Sequence, residues 1–192
     1  MVPAFLKRIY KKLFRDPAIA ALPSRVWLHT DLLPALKAAG HTRMLFVGTQ
    51  SYNGLFYRHC QGLKVFSIDP DPVNARYAAP SGHFIGYVQD LARLAPGTSF
   101  DVIVFNGIIG FGVNDVPAAL DALRAMAVAA APGALLIIGW NPGRTDGQEI
   151  LAMRPHLTPT TVGALSHVVE FPALGRAQRN AHIYEFYRFG PS

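Results

Sequence analysis

Five short, mainly apolar segments separated by helical stretches constrain the fold of this chain more than any other feature of its sequence. The segments are 44–47, 65–68, 84–88, 101–105 and 134–139. Such runs are typical of strands that are buried on both faces, as they are in parallel sheets. Strands that alternate with helices are joined by right-handed crossovers. The pattern therefore predicts an α/β fold in three layers with a mostly parallel sheet.

The stretches between these strands carry helix signals. Helices are predicted over 28–39, 72–77 and 116–130. The short middle helix has a favourable start, because Asp71 is a good N-cap residue and Pro72 suits the first helical position. The last part of the chain departs from the alternation. Segments 168–171 and 183–189 predict two successive strands with no helix between them, so we expect an antiparallel pair to finish the sheet at one edge.

The positive charge of the chain is confined to its first residues. The 192-residue chain has 18 Lys and Arg against 12 Asp and Glu, a net charge of +6. Five of the basic residues precede the first acid, Asp16, which leaves 13 basic and 12 acidic residues in the rest of the chain. The basic balance therefore does not favour a nucleic-acid partner. We expect a basic amphipathic helix within 1–16 and a single globular domain over 17–192.

Residues 5–15 fit an amphipathic helix, with apolar side chains on one half of the helical wheel and five cations on the other. Such a helix can pack on its own domain with its cations in solvent. It can equally lie on a membrane surface, dock on an acidic partner, or contact a second copy of the chain. The sequence leaves these alternatives open, so peripheral membrane contact and a homodimer contact are both hypotheses for residues 5–15.

Glycine and small polar residues stand after the predicted strands. They are Gly48, Asp69, Asp90, Asn106 and Asn141, in the order of the five strands. The carboxyl ends of parallel strands meet at one edge of the sheet, and ligands bind there at the point where the strand order reverses. The shared placement of these residues predicts a ligand site at that edge.

In their order and spacing, these segments resemble the class I S-adenosylmethionine-dependent methyltransferases over about residues 25–190. The resemblance is carried by Met44-Leu45-Phe46-Val47-Gly48, Ile68-Asp69, Gln89-Asp90, the segment from Phe100 to Gly107, and the segment from Ala131 to Ile138. The final segment 181–187 is similar to that family's last strand. The resemblance implies a Rossmann-like sandwich, S-adenosylmethionine as cofactor and methyl transfer as the activity.

The resemblance also implies roles for individual residues. Asp69 would accept hydrogen bonds from two ribose hydroxyls, as acids at that position do in dinucleotide-binding folds. Asp90 would meet the adenine amino group beside the backbone N–H of Leu91, and Asn106-Gly107 would line the methionine end. The complete set of implied cofactor-binding residues is Gly48, Thr49, Gln50, Asp69, Pro70, Asp90, Leu91, Asn106 and Gly107.

The loop after the first strand departs from the family pattern. The family repeats glycine at alternate positions and has an acid two residues before the first glycine. Here Gln50 and Tyr52 stand at glycine positions, and Phe46 stands in place of the acid. Polar side chains of the same loop can supply hydrogen bonds instead: Thr49, Gln50, Ser51 and Asn53.

The acceptor side of the site is predicted beyond the fourth and fifth strands. Methyl transfer needs the acceptor in line with the methyl group, so positioning supplies much of the catalysis. His182 is the candidate general base, which only an acceptor of high pKa requires; a structural, hydrogen-bonded histidine is the alternative. The candidate acceptor-binding residues are Ile109, Phe111, Trp140, Asn141 and Tyr184.

Other sequence signatures are absent. The chain contains no G-x-G-x-x-G, P-loop, H-E-x-x-H or G-x-S-x-G motif. Its single cysteine, Cys60, excludes an internal disulfide framework, and we expect it to be buried and inert within a helix. No metal is predicted. The lone cysteine and the lack of a signal-peptide pattern predict a cytoplasmic location.

The sequence thus predicts a methyltransferase that transfers a methyl group to oxygen or nitrogen of a small-molecule acceptor. The alternative hypothesis is a non-catalytic methyltransferase-like module, recruited to a membrane surface or a partner by residues 5–15.

Overall fold

The computed structural model describes residues 16–173 and 181–190, so the helix predicted over 5–15 lies outside the described residues. Within the described ranges the chain forms eight strands: β1 (Arg43–Val47), β2 (Lys64–Asp69), β3 (Gly82–Ile85), β4 (Phe100–Asn106), β5 (Ala130–Trp140), β6 (Leu157–Pro159), β7 (Val168–Phe171) and β8 (His182–Phe189). The α-helices are α1 (Asp16–Ala20), α2 (Pro23–Trp27), α3 (Leu33–Ala38), α4 (Gly54–Arg58), α5 (Leu91–Leu94), α6 (Val116–Val128) and α7 (Gln148–Met153).

The strands form one sheet in the order β3-β2-β1-β4-β5-β8-β6, and β7 pairs with β8 beside this path. Strands β1 to β5 are parallel, whereas β8 runs antiparallel to β5, β6 and β7. The predicted α/β fold with a mostly parallel sheet and an antiparallel edge is therefore confirmed. The strand order reverses between β1 and β4, which is where a ligand site is expected in such a sheet.

The antiparallel edge contains more strands than the sequence predicts. The first half of β8 pairs with β7, and its second half, from Tyr187 to Phe189, pairs with β6. Strand β8 is therefore covered on both sides, and two short strands share the outer edge. The sequence analysis missed β6 because it has only three residues and includes Pro159, which disfavours a strand prediction.

Two strands, β3 and β5, differ from their predicted bounds by more than one residue. Strand β3 covers 82–85 where the apolar pattern predicts 84–88, because the chain turns away at Gly86, which has φ +156°. Strand β5 begins at Ala130, ahead of Pro132, and its pairing with β4 shifts register near this point. A proline is tolerated beside such an irregularity, since no regular ladder hydrogen bond is lost there.

Helices cover both faces of the sheet and enclose two hydrophobic cores. Along β1, Leu45 and Val47 face the core formed with α5, α6 and α7. Met44 and Phe46 alternate with them and face the core formed with α2, α3 and α4. This alternation of side chains along a strand buries both faces of the central strands and produces the three layers.

The helix predicted over 28–39 begins as a π-helical turn, Leu28–Leu32, which joins α2 to α3. Pro34 has no N–H to donate back along the helix and its ring crowds the preceding turn. The backbone widens just before it, and Leu33 donates its N–H to the carbonyl of Leu28, five residues earlier. The π-helical turn allows the helix to continue past Pro34, and α3 extends to Ala38.

Candidate functional site

A cavity of about 480 Å³ lies at the carboxyl ends of the parallel strands, where the strand order reverses. Its wall includes most of the predicted cofactor-binding residues: Gly48, Thr49, Gln50, Asp69, Pro70, Asn106 and Gly107. Three of the residues predicted on the acceptor side also line it: Phe111, Asn141 and His182. The structure thus brings together residues that are up to 134 positions apart in the chain, as the strand-end argument predicts.

Gly48 forms the turn that leads the chain from β1 into the cavity wall. It has φ +83°, a conformation that favours glycine, and donates its N–H to the carbonyl of Ile68 at 2.8 Å. A Cβ at this position would lie 2.5 Å from Cδ1 of Ile108. The backbone conformation therefore favours glycine here, and a larger residue would also have to displace the end of the Ile108 side chain.

The loop after Gly48 keeps its shape through polar side chains in place of the family's further glycines. The backbone N–H of Gln50 donates to Oδ1 of Asn53 at 3.1 Å, and Asn53 is buried. Residues 51–53 form one 3-10 turn that leads directly into α4. Gln50 and Tyr52 adopt such a turn less readily than glycine does. Hydrogen bonds within the loop stabilise the turn instead.

Asp69, at the end of β2, links the two loops on either side of the cavity. Its Oδ2 accepts a hydrogen bond from the backbone N–H of Thr49 at 2.8 Å. Its Oδ1 accepts from the backbone N–H of Asp71 at 2.9 Å and from Nδ2 of Asn74 at 3.0 Å. A carboxylate has about four acceptor positions. These three protein donors leave about one position for a ligand, fewer than the two ribose contacts implied by the family resemblance.

Asp90 and Leu91 do not reach the cavity wall, although the sequence places both in the cofactor site. Asp90 instead lies 3.3 Å from the guanidinium of Arg93. Leu91 is buried in the core, and its backbone N–H donates to the carbonyl of Val88. Because β3 ends at Ile85, the residues that line the cavity beyond it come earlier in the chain: Gly86, Tyr87, Val88 and Gln89.

Asn106 and Gly107 form the cavity wall at the end of β4. Asn106 is buried and donates from Nδ2 to the hydroxyl of Tyr184 at 3.3 Å, while its Oδ1 has no hydrogen-bond partner among the described residues. Gly107 has φ +67° and donates its N–H to the carbonyl of Gly139 at 2.8 Å. This part of the wall therefore offers a buried acceptor atom next to a fixed backbone turn.

Three predicted acceptor-binding residues lie in the layers of the fold and not in the cavity wall. Ile109 is fully buried in the core beneath the loop. Trp140 donates from Nε1 to Oε1 of Glu185 at 3.0 Å. Tyr184 stacks on Trp27 with ring centroids 5.0 Å apart. The side chains of Trp140 and Tyr184 point away from the sheet towards the helices. They therefore do not reach the site, although their backbone lies close to the strand ends.

His182, the first residue of β8, lines the cavity and is only 2% exposed. Its Nε2 has no hydrogen-bond partner within the described part of the chain. Burial, together with the positive charge of Arg25, lowers the pKa of His182 to about 3. The imidazole is therefore neutral near pH 7, and so low a pKa makes it a weak general base.

Several cavity residues carry no local signal that sequence reasoning could use. They include Asp16, Ser24, Arg25, Asn74 and Arg144. Arg25 lies over the ring of Tyr52, with its guanidinium carbon 5.0 Å from the ring centroid, and Arg144 lies in the same way over Phe111. The first three belong to short helices before β1, and only the tertiary fold brings these helices to the carboxyl edge of the sheet.

Cys60 is buried, as predicted, but it lies two residues beyond the end of α4 and not within a helix. Burial raises the pKa of its thiol to about 12, which agrees with the expectation of an inert side chain. Among residues 16–173 and 181–190, no group of three or more His, Cys, Asp or Glu is placed to hold a metal ion. In the same ranges, no helix has both the length and the apolar character needed to cross a membrane.

The sheet order and the cavity at its switch point define the fold of the class I S-adenosylmethionine-dependent methyltransferases. The chain matches no family model and no curated protein sequence. Among solved structures, it is similar to the N-methyltransferase NodS from Bradyrhizobium japonicum WM9, with a TM-score of 0.67 and 16% identity over 90% of this chain and 99% of that one.

Two further solved structures have the same fold. A TehB-like SAM-dependent methyltransferase from Corynebacterium glutamicum ATCC 13032 Kitasato has a TM-score of 0.63 and 19% identity, over 97% of this chain and 100% of that one. The 1,6-didemethyltoxoflavin-N1-methyltransferase of Burkholderia thailandensis, solved with 1,6-didemethyltoxoflavin and S-adenosylhomocysteine, has a TM-score of 0.56 and 16% identity, over 96% and 90% of the two chains. These similarities confirm the class I methyltransferase fold.

Proposed function

We propose that this protein is an S-adenosylmethionine-dependent methyltransferase that acts on a small-molecule acceptor. The observation that carries the proposal is the convergence of Gly48, Asp69 and Asn106 on one cavity at the switch point of a methyltransferase sheet. The structural neighbours named N-methyltransferases, one of them solved with S-adenosylhomocysteine and a small-molecule substrate, support the same function.

The residues of the cavity fit this cofactor. Gly48 lines the cavity and forms its turn with φ +83°, a backbone conformation that favours glycine. Asp69 keeps about one free acceptor position for a ribose hydroxyl. Asn106 and His182 each carry a buried polar atom without a partner among the described residues, and such atoms are costly unless a ligand satisfies them. When bound, the cofactor supplies a methyl group activated by a sulfonium.

Different parts of the wall would hold different parts of the ligands. Asp69 and the neighbouring Pro70 would hold the ribose. The turn at 86–89 would contact the adenine in place of Asp90 and Leu91, which lie outside the wall. Asn106 and Gly107 would line the methionine end. The acceptor would then enter between the loop that carries Phe111 and the residues Asn141 and His182.

The environment of His182 favours a nitrogen acceptor over an alcohol or phenol. An oxygen acceptor of high pKa needs a base to remove its proton, whereas a neutral amine or ring nitrogen already has a lone pair. With its pKa lowered to about 3, His182 is a poor base near pH 7 and is better suited to orienting an acceptor through a hydrogen bond. Methyl transfer would then depend mainly on the positions of the two reactants.

Isothermal titration with S-adenosylmethionine and S-adenosylhomocysteine tests the proposal. We expect both ligands to bind the intact protein, and Gly48→Ala to weaken the affinity for both by at least about tenfold, because the added Cβ displaces Ile108, which lines the cavity. Gly40→Ala is the matched control, because Gly40 has a similar φ of +81° but open space around its Cβ position. Absence of heat and of any thermal shift with either ligand would contradict the proposed function.

A further inference from the structure

Asp16 places a nearly buried carboxylate in the wall of the cavity. It is the first residue of α1 and is 8% exposed. Its Oδ2 accepts a hydrogen bond from the hydroxyl of Ser51, in the loop after β1. Its Oδ1 is buried and has no hydrogen-bond partner within residues 16–173 and 181–190. One oxygen of this carboxylate is thus fixed by the loop, and the other is unsatisfied.

An unsatisfied carboxylate oxygen in this position is unfavourable for the protein alone. Leaving a buried acceptor without a donor is unfavourable, and more so when the group is charged. Across the described ranges, no lysine, arginine or histidine lies within ion-pair distance of Asp16. A positively charged donor on a ligand in the cavity would remove this cost, which makes Asp16 a candidate ligand-binding group.

Arg25 places the opposite charge in the same wall. Its guanidinium stacks on Tyr52, the residue after Ser51, and its Nη2 lies 3.6 Å from the position that a Cβ on Gly107 would occupy. It forms no ion pair with a carboxylate in the described part of the chain. The carboxylate of Asp16 and the guanidinium of Arg25 therefore contact successive residues of one loop, and both residues line the cavity.

The position where the family carries an acid cannot supply this negative charge. Phe46 stands there, and its ring packs against Phe56 with centroids 5.3 Å apart, inside the core on one face of the sheet. Phe46 also lines the cavity, but its apolar ring provides no charge there. If the amino-acid end of the cofactor is bound by charge, the carboxylate must come from another element.

We propose that Asp16 binds the α-amino group of the cofactor and Arg25 binds its α-carboxylate, so that the helices before β1 replace the acid that is missing at Phe46. An ammonium beside a carboxylate and a carboxylate beside a guanidinium form charge-assisted hydrogen bonds, which are stronger than neutral ones. The arrangement also explains why the loop needs Ser51 at its start, because the serine hydroxyl orients the carboxylate of Asp16. This assignment rests on the proposed function.

Truncated ligands test the assignment of Asp16. Isothermal titration would compare S-adenosylhomocysteine with its analogue that lacks the α-amino group, on the intact protein and on Asp16→Asn. We expect Asp16→Asn to lower the affinity for S-adenosylhomocysteine by about 10- to 100-fold. Its affinity for the deamino analogue should stay within about twofold of that of the intact protein. The intact protein should bind the deamino analogue about as weakly as Asp16→Asn binds S-adenosylhomocysteine.

Matched variants separate binding from folding. Asp121→Asn removes an exposed carboxylate that forms an ion pair with Arg124 on α6, and this variant should bind both ligands like the intact protein. Arg25→Gln should show the corresponding result for the other charged group. Its affinity for S-adenosylhomocysteine should fall, and its affinity for the analogue without the α-carboxylate should not change. If Asp16→Asn does not fold, Ser51→Ala should show a smaller loss with the same dependence on the amino group.

Two results would overturn the assignment while leaving the proposed function intact. The first is equal affinity of the intact protein for S-adenosylhomocysteine and the deamino analogue. The second is an equal loss of affinity for both ligands in Asp16→Asn, which would indicate a structural role. Failure of the intact protein to bind S-adenosylhomocysteine at all would instead contradict the proposed function itself.

Discussion

Asp69 serves the fold and the site with one carboxylate. Three protein donors, from Thr49, Asp71 and Asn74, converge on it and connect the loops after β1 and β2. The same side chain lines the cavity and keeps about one acceptor position for a ligand. A substitution here therefore changes stability as well as affinity, and the two effects must be measured separately.

We expect Asp69→Ala to lower the free energy of unfolding by about 1–3 kcal/mol, because it leaves buried donors without an acceptor. Urea denaturation measures this loss, and titration with S-adenosylhomocysteine under native conditions should show an affinity lowered by a similar free energy. Asp121→Ala on the exposed face of α6 is the control and should cost less than about 1 kcal/mol. An Asp69→Ala protein of unchanged stability would show that the three hydrogen bonds contribute little.

At the scale of single residues, the sequence identifies the site residues whose role is already indicated by their neighbours in the sequence. Gly48 and Asp69 stand directly after buried strands, so their position at the site follows from the pattern. Asp90 lies outside the cavity wall, because β3 ends at Ile85, before the end of the apolar pattern. Arg25 could not be identified at all, since an arginine in a helix before the first strand is far more often solvent-exposed.

At the scale of elements, β8 is stabilised by a buried charge on the side away from the cavity. Glu185 accepts hydrogen bonds from Trp140 on β5, from Arg154 just after α7, and from Tyr187. Burial alone would raise the pKa of Glu185, but the hydrogen bonds from Arg154, Tyr187 and Trp140 outweigh it and lower the pKa. One carboxylate thus connects β5, β8 and the C-terminal end of α7.

We expect Arg154→Met to destabilise the protein by about 2–4 kcal/mol, because it leaves the carboxylate of Glu185 buried without its cation. The range is below that of a fully buried pair, since the side chain of Arg154 is 44% exposed. Adding Glu185→Gln should recover part of the loss. Arg124→Met, which breaks an exposed ion pair on α6, should cost less than about 1 kcal/mol in the same denaturation experiment. Equal losses in the two arginine variants would contradict this role.

The sequence predicts elements well where their pattern is long and poorly where it is short. The central strands and α6 lie within one to four residues of their predicted bounds, because several buried positions define each of them. Strand β6 has three residues and only one buried position, so no periodicity marks it. Its pairing is decided by the adjacent edge of β8, a partner about 30 residues away.

At the scale of the whole molecule, His182 makes stability depend on pH. It is the first residue of β8, near the end of the chain, and it interacts electrostatically with Arg25 on α2. Its burial therefore requires the complete fold. Burial lowers its pKa from 6.5 to about 3. Between these values the unfolded chain binds a proton at this residue and the folded protein does not. Stability therefore falls as the pH decreases below about 6.5.

We expect the intact protein to lose about 2 kcal/mol more free energy of unfolding between pH 7 and pH 5 than His182→Gln, in which this titration is absent. Urea denaturation at the two pH values measures the difference. His156→Gln removes an exposed histidine and should keep the pH dependence of the intact protein. The same pH dependence in His182→Gln as in the intact protein would show that the folded state accommodates the protonated imidazole.

The sequence by itself determined the α/β class, the parallel core of the sheet and the edge at which the ligand site lies. These follow from hydrophobic periodicity and from glycine and polar residues at strand ends, which are properties of short stretches of chain. Only the tertiary structure decided that Asp16 and Arg25 face the cavity and that Trp140, Tyr184 and Asp90 do not. Those outcomes depend on how helices dock on the sheet and where each strand stops, and they are set by packing between residues distant in sequence.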